Sequence, residues 1–357
     1  MSHNLKDIHY LIATLIHPDY TGDKISNFFP LDESFYNDII RVASSYLVLP
    51  SVYKALIKKK LDKKVSIEFI SYLKSIYEIN HERNVQILKQ IKILSKILNK
   101  NNINHVFLKG AAMLLYRPNN SLKERMIGDI DILVLPAEIN KAREILLKSG
   151  YDQEVRNEVF LTEGIKDEGN RHIKRLNHNK YIASVELHRN LLYKSYNSKL
   201  YSEALLSKKI ILQEMYNIPS VEDMWKHTIY NWEINDWGYK FNKISFRSIL
   251  DIILLEKEVA QIKKKLNSKE LIHFYNLMSV FYDIYPKRFS FKKNLFILKM
   301  KSSTFRNILH KINKIPIFIN LIFNRFFLFM SNNLYRNRVI NNRNIIFKKI
   351  SKIWNSY

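Results

Sequence analysis

The sequence predicts an α+β protein in which a small α/β core lies between a helical N-terminal region and a basic, helical C-terminal region. Three observations predict it. Residues 1–100 carry apolar positions at helical spacing. Residues 101–190 hold short β-branched runs punctuated by Asn, Gly and Pro. Residues 191–357 return to helical patterning.

The N-terminal region is clearest at Asn84, Ile87, Ile91, Leu94 and Leu98, whose spacings of three and four place one apolar stripe on a helix ending near Lys100. Asn101-Asn102 breaks that pattern. A strand is predicted over 104–109, ended by Gly110, with a short helix over Ala111–Tyr116 stopped by Pro118 and the polar loop 119–121. The second strand is 129–135. Pro136 opens a helix reaching about Lys148, with Gly150 as its stop. Further strands are predicted at 157–161, 171–176 and 181–187. Ser220, with Asp223 three residues on, predicts a capped helix through Trp232, and Arg247 and Asp251 read as a structural i,i+4 pair.

Composition narrows the class. With 357 residues, 46% apolar and 13% aromatic, the chain has the material for a folded core. Cysteine is absent, which excludes disulfides and cysteine zinc sites. The first residues lack the apolar stretch of a signal peptide, so a cytoplasmic protein is expected. Of the net charge of +25, residues 261–357 carry +18: twenty Lys or Arg against Glu270 and Asp283. That field favours polyanions such as RNA or an anionic membrane surface, while a general Lys enrichment would produce it without any partner. Within the tail, Ile315–Met330 is apolar but interrupted by Asn320, Asn324 and Arg325, so no transmembrane span is expected. Phe318, Ile322, Arg325 and Phe329 share a helix face, with Arg336, Arg338, Arg343, Lys348 and Lys349 following. Core packing is the preferred reading of that face, and a peripheral membrane contact is the alternative.

The chemistry sits in three short segments. In Arg125-Met-Ile-Gly-Asp-Ile-Asp-Ile-Leu-Val134, Asp129 and Asp131 are two apart in an apolar run, so a strand aims both carboxylates at one place. Two hard oxygen donors on a rigid strand suit Mg²⁺ bound together with phosphates. In His105-Val-Phe-Leu-Lys-Gly-Ala-Ala-Met113, a strand turning at Gly110 into a helix at Ala111 offers backbone N–H groups to phosphate oxygens, with Lys109 as a cation. Arg125 can neutralise the acids or reach a phosphate. In Val185-Glu-Leu-His188, Glu186 is a third acid and His188 shares its face; His188 and His172 are candidates for the acceptor side. His178, in the same basic stretch as His172, is a further acceptor-side candidate with a solvated hairpin histidine as its alternative, and His227 reads as an ordinary helix histidine. No Walker A, dinucleotide, zinc-protease or α/β-hydrolase motif is present.

The order of these parts resembles the nucleotidyltransferase superfamily with a DNA polymerase β-like fold. More narrowly, Leu108-Lys-Gly-Ala-Ala, the Asp129/Asp131 segment and Val185-Glu-Leu-His resemble the bacterial family of uncharacterised nucleotidyltransferases. The resemblance implies a small mixed sheet with helices, an NTP held at Lys109, Gly110, Ala111 and Arg125, and two Mg²⁺ ions, or Mn²⁺ in their place, held by Asp129, Asp131 and Glu186. It implies transfer of an NMP group with release of pyrophosphate. Two departures stand out: Ala111 where the superfamily commonly has Ser, and Glu rather than Asp as third acid. The alternatives are a metal-dependent glycosyltransferase using a nucleotide sugar, or a non-catalytic RNA- or membrane-binding protein on a degenerate core.

Overall fold

The computed structural model describes residues 5–20, 25, 28–29, 31, 33–117, 122–153, 171–256, 258, 267–285 and 290–342. The predicted strand at 157–161, the loop 118–121 and Arg343, Lys348 and Lys349 lie outside these residues. The chain divides into two compact units, one of residues 1–154 with 171–297, the other of residues 155–170 with 298–357.

The first unit begins with helices α1 (Leu5–Ile16), α2 (Glu33–Ser45) and α3 (Leu49–Lys58), followed by the 34-residue α4 (Ile67–Lys100). Ser66 caps α4, its Oγ accepting from the Phe69 amide at 3.2 Å. The stripe predicted from spacing is the buried one: Asn84, Ile87, Ile91, Leu94 and Leu98 are all fully enclosed. Ile87, Ile91, Leu94 and Leu98 form one core with Ile130, Ile132, Val134, Ile139, Ala142, Leu146, Val185 and Leu187.

That core underlies a five-stranded mixed sheet in the order β1-β2-β5-β4-β3. Its strands are β1 (His105–Phe107), β2 (Asp129–Val134), β3 (Asp152–Gln153), β4 (Leu176–Asn177) and β5 (Ser184–His188). β1 runs antiparallel to β2, and β4 antiparallel to β5 and β3. The central pair, β2 and β5, is parallel, with Asp129 opposite Ser184, Asp131 opposite Glu186 and Leu133 opposite His188. Helix α5 (Lys109–Tyr116) follows β1, and α6 (Ile139–Lys148) follows β2.

Two boundaries differ from the sequence reading. The first strand ends at Phe107, and the helix begins at Lys109 instead of Ala111. The turn is made by Lys109 itself, which takes φ +49°, so Gly110 is already helical. Space is tight there: a Cβ on Gly110 would lie 3.1 Å from Ile127 Cγ1 and 3.3 Å from Cγ2, so the isoleucine would have to give way slightly. The predicted strand at 171–176 is reduced to Leu176–Asn177 and a bridge between His172 and His188.

Beyond the sheet come α7 (Ser202–Ser207) and a hairpin, β6 (Ile210–Leu212) with β7 (Tyr216–Ile218), where the sequence predicts only helix. Its turn puts Gln213 and Glu214 at φ +49° and +54°, a geometry usually signalled by Asn or Gly. Helix α8 (Val221–Tyr230) starts where the capping pattern places it, with Ser220 Oγ accepting from the Asp223 amide at 3.2 Å, and runs on as a π turn, Asn231–Asn235. Then follow α9 (Gly238–Phe241), α10 (Phe246–Glu256), α11 (Lys269–Met278) and α12 (Phe291–Lys301).

In the second unit the main elements are α13 (Ser303–Ser331) and α14 (Asn333–Asn341). Arg336 donates to the carbonyls of Phe329 at 3.1 Å and Met330 at 2.8 Å, satisfying acceptors at the end of α13. The core-packing expectation for the tail is corrected here. Leu328 is the one buried residue of α13, and its 29 residues make it long and apolar enough to cross a membrane by length and composition, so the segment is longer than the sequence reading allowed.

Candidate active site

The site is built on the edge where β2 and β5 run side by side. Ile130, Ile132, Val185 and Leu187 turn into the core, so the intervening residues project from the opposite face of the sheet. The register then does the rest. Asp131 and Glu186 are direct partners, and His188 lies one pleat further along.

His188 Nε2 lies 2.7 Å from Asp131 Oδ1 and 3.6 Å from Glu186 Oε2, and all three side chains are buried. Their ligand atoms fall within 4.8 Å of one another, a grouping able to hold a metal ion. Two carboxylates and an imidazole fit a divalent cation, and a buried acidic pair calls for cationic compensation. Two basic side chains provide that compensation here. Lys109 Nζ donates to Asp131 Oδ1 at 2.6 Å, and Arg175 reaches Glu186 Oε1 through Nε at 2.6 Å and Asp129 Oδ2 through Nη2 at 3.1 Å.

These contacts divide the acids. Burial pushes the Asp131 carboxyl up, but Lys109 and His188 more than offset it and hold it far below the usual carboxylate range. Glu186, also pushed up by burial, is brought down to about 2 by its bonds from His188 and Arg175. Asp129 goes the other way: burial raises it, and repulsion from Asp131 and Glu186 adds to the rise. The site therefore keeps two firmly ionised acids beside one that holds its proton more readily.

Asp129 is the sequence-predicted ligand that the geometry sets apart. It stands at the start of β2, joined to Glu186 through Arg175, and among the described residues the three groups that converge are Asp131, Glu186 and His188. His188, expected on the acceptor side, belongs to this cluster. His172 adjoins it, its ring centroid 5.1 Å from that of His188. Lys109, Gly110 and Ala111 form the first turn of α5, and Leu108 ahead of them supplies no side-chain cap, so the turn's amides are left to other acceptors. Gly128 is open on its Cα side, with nothing within 4 Å of where a Cβ would stand.

Arg125 needs correcting. Its bonds go to a different acid from the ones expected: its Nε donates to Asp251 Oδ1 at 2.8 Å and Oδ2 at 3.1 Å, tying the segment before β2 to α10. Asp251 thus takes hydrogen bonds from Arg125, while Arg247, its i,i+4 neighbour on α10, is attracted to it electrostatically. His178 packs against Tyr151 and Tyr181 and accepts from the Lys180 amide.

Sequence reasoning did not place three residues near the acids. Arg175 was one more cation in a basic stretch, and only its position one residue before the Leu176–Val185 pair brings it to Glu186. His227, on α8, is buried; burial and then Lys109 and His188 lower it to about 3, so it faces the cluster as a neutral ring. Arg247, on α10, is lowered to about 10 by burial and by Arg125, against the attraction of Asp251, Asp236 and Asp129. Nothing in the local sequence distinguishes these side chains, because each acts on the acids across a long separation in the chain.

The site thus joins acids in register on a parallel strand pair to an uncapped helix start within an α+β core. The family described as uncharacterised nucleotidyltransferase matches residues 33–272, and the chain belongs to it. No curated protein matches the chain.

Proposed function

We propose that this transferase moves a nucleoside monophosphate from an NTP to a hydroxyl or similar nucleophile, releasing pyrophosphate, with Mg²⁺ as the preferred metal and Mn²⁺ an accepted one. The observation that carries this reading is the register that sets Asp131 beside Glu186, with Lys109 at the head of α5 on the same carboxylate.

Asp131, Glu186 and His188 would hold one ion, and Asp129 with Asp131 a second once Arg175 yields. Bound divalent ions would neutralise the triphosphate and polarise its α-phosphoryl group. Lys109 and the first-turn amides of α5 bind phosphate oxygens, the role a Ser hydroxyl would share if Ala111 were Ser. Arg175, once displaced from the acids, would be drawn toward the departing charge. The acceptor oxygen forms its bond to the α-phosphorus as the bond to the bridging oxygen breaks. Pyrophosphate leaves with that electron pair. The acceptor's proton would pass to the Asp129 carboxylate as the new bond forms.

The test is pyrophosphate release from each of the four NTPs in the presence of fractionated cell extract, with and without divalent metal. Release that needs both the metal and one extract fraction supports the proposal and names the acceptor class. Absence of release with every NTP and every fraction would refute it.

A further inference from the structure

The long helix α13 carries an apolar ridge that its own unit leaves uncovered. Ile308, Ile312, Ile315, Ile319, Ile322, Phe323, Phe326 and Met330 lie along one side of the helix and are all exposed, from 46% at Ile315 to 68% at Phe323. A flank of the same helix carries cations: Asn307, Lys314 and Arg325 fall on one line, with Lys311 beside it and Phe318 and Phe329 between them and the ridge. The helix has no Asp or Glu. Neither has the rest of the chain after Asp283, where sixteen Lys or Arg meet no acid at all.

We infer that α13 lies in the plane of an anionic lipid bilayer, its Ile and Phe ridge sunk among the acyl chains and its cations on the headgroups. A continuous apolar ridge flanked by a basic line is the pattern of an interfacial helix. The absence of acidic residues matches a negatively charged surface, where each nearby Lys or Arg contributes about 1 kcal/mol. A nucleic acid would use the cations but leave the ridge in water. A spanning orientation would bury Asn320, Asn324 and Arg325 in hydrocarbon, a cost that lying flat avoids. No residue of the acidic cluster enters this assignment, so it stands independently of the transferase reading.

Flotation of the full-length protein with vesicles tests it. The protein should rise with vesicles of phosphatidylcholine and phosphatidylglycerol, and far less with phosphatidylcholine alone. Ile319→Glu/Phe326→Glu should reduce the floating fraction about tenfold or more, as burial of two large apolar side chains implies, while leaving the circular dichroism and pyrophosphate release unchanged. Four results would overturn the inference: no flotation with either vesicle, equal flotation of the variant, resistance to alkaline carbonate extraction as for a spanning helix, or binding to RNA with none to vesicles.

Discussion

Arg175 donates through Nε to Glu186 Oε1 at 2.6 Å, so a guanidinium occupies one edge of the acidic cluster. A cation bound there competes with a metal for the same oxygen. Arg175→Ala should therefore tighten Mn²⁺ binding in the absence of nucleotide, on the order of tenfold for a partly solvated pair, as read by calorimetric titration. Weaker binding in the variant would show that Arg175 supports the metal site instead of competing with it.

Gln90 on α4 makes a strand-like pair with Ala183, the residue just before β5: its Nε2 donates to the Ala183 carbonyl at 2.8 Å, and its Oε1 accepts from the Ala183 amide at 3.1 Å. Both bonds are buried. Gln90→Leu keeps the volume and strands both backbone groups, so a loss of about 2–4 kcal/mol is expected in urea unfolding. A change below about 0.5 kcal/mol would mean that the pair contributes little to anchoring β5.

Gly110 and Ile127 should behave as a coupled pair. Gly110→Ala forces a methyl group against Ile127, and a loss of about 1–3 kcal/mol with weaker NTP binding is expected from the overpacking. Ile127→Ala leaves a cavity on its own but makes room for that methyl. The double variant should then lose less than the two single losses combined, measured as a thermodynamic cycle. Strict additivity would remove the steric explanation for glycine at this turn.

Much of the fold was legible because it rests on local periodicity. The Asn84–Leu98 stripe, the alternation around Asp129 and Asp131, and the Ser220 cap each announce themselves within a few residues. Asp131 and Glu186 were legible as acids in apolar strands, and the structure adds the parallel register that sets them side by side. What local sequence could not supply was partner choice across the fold. Arg125 has carboxylates four and six residues ahead of it, yet its bond goes to Asp251 on α10. Arg175 and His227 reach the cluster only through sheet pairing and helix packing. The hairpin at 210–218 was hidden because its turn lacks the Asn or Gly that positive φ normally calls for.

Two buried histidines should make a destabilising contribution as the pH falls. His105 is fully buried, with Nδ1 on the Ile103 carbonyl at 2.9 Å and Nε2 without a partner, and burial lowers it to about 4. His227 is lowered to about 3. Both rings are protonated in the unfolded chain below about pH 6.5 and stay neutral in the folded one. The unfolded state then binds more protons, so stability is full above about pH 6.5 and falls as the pH drops toward 4. Each ring accounts for a slope of up to about 1.4 kcal/mol per pH unit. His105→Asn, which keeps a donor for Ile103 and removes the titrating ring, should lower the slope relative to wild type by up to about 1.4 kcal/mol per pH unit in urea unfolding between pH 6.5 and 4.5. An unchanged slope would place the acid sensitivity elsewhere.

The most direct test of the central claim is transfer of label from α-³²P NTP to acceptor by the wild-type protein and by Asp131→Asn, with Mg²⁺ and the active extract fraction. The Asn side chain keeps the shape but loses the charge that Lys109 and His188 address and that a divalent ion would bind. Metal-dependent labelling is expected from the wild type, with a loss of about a hundredfold or more in the variant, the scale of removing a preorganised electrostatic contact at a transferring phosphoryl group. Labelling by Asp131→Asn at the wild-type rate would contradict the claim.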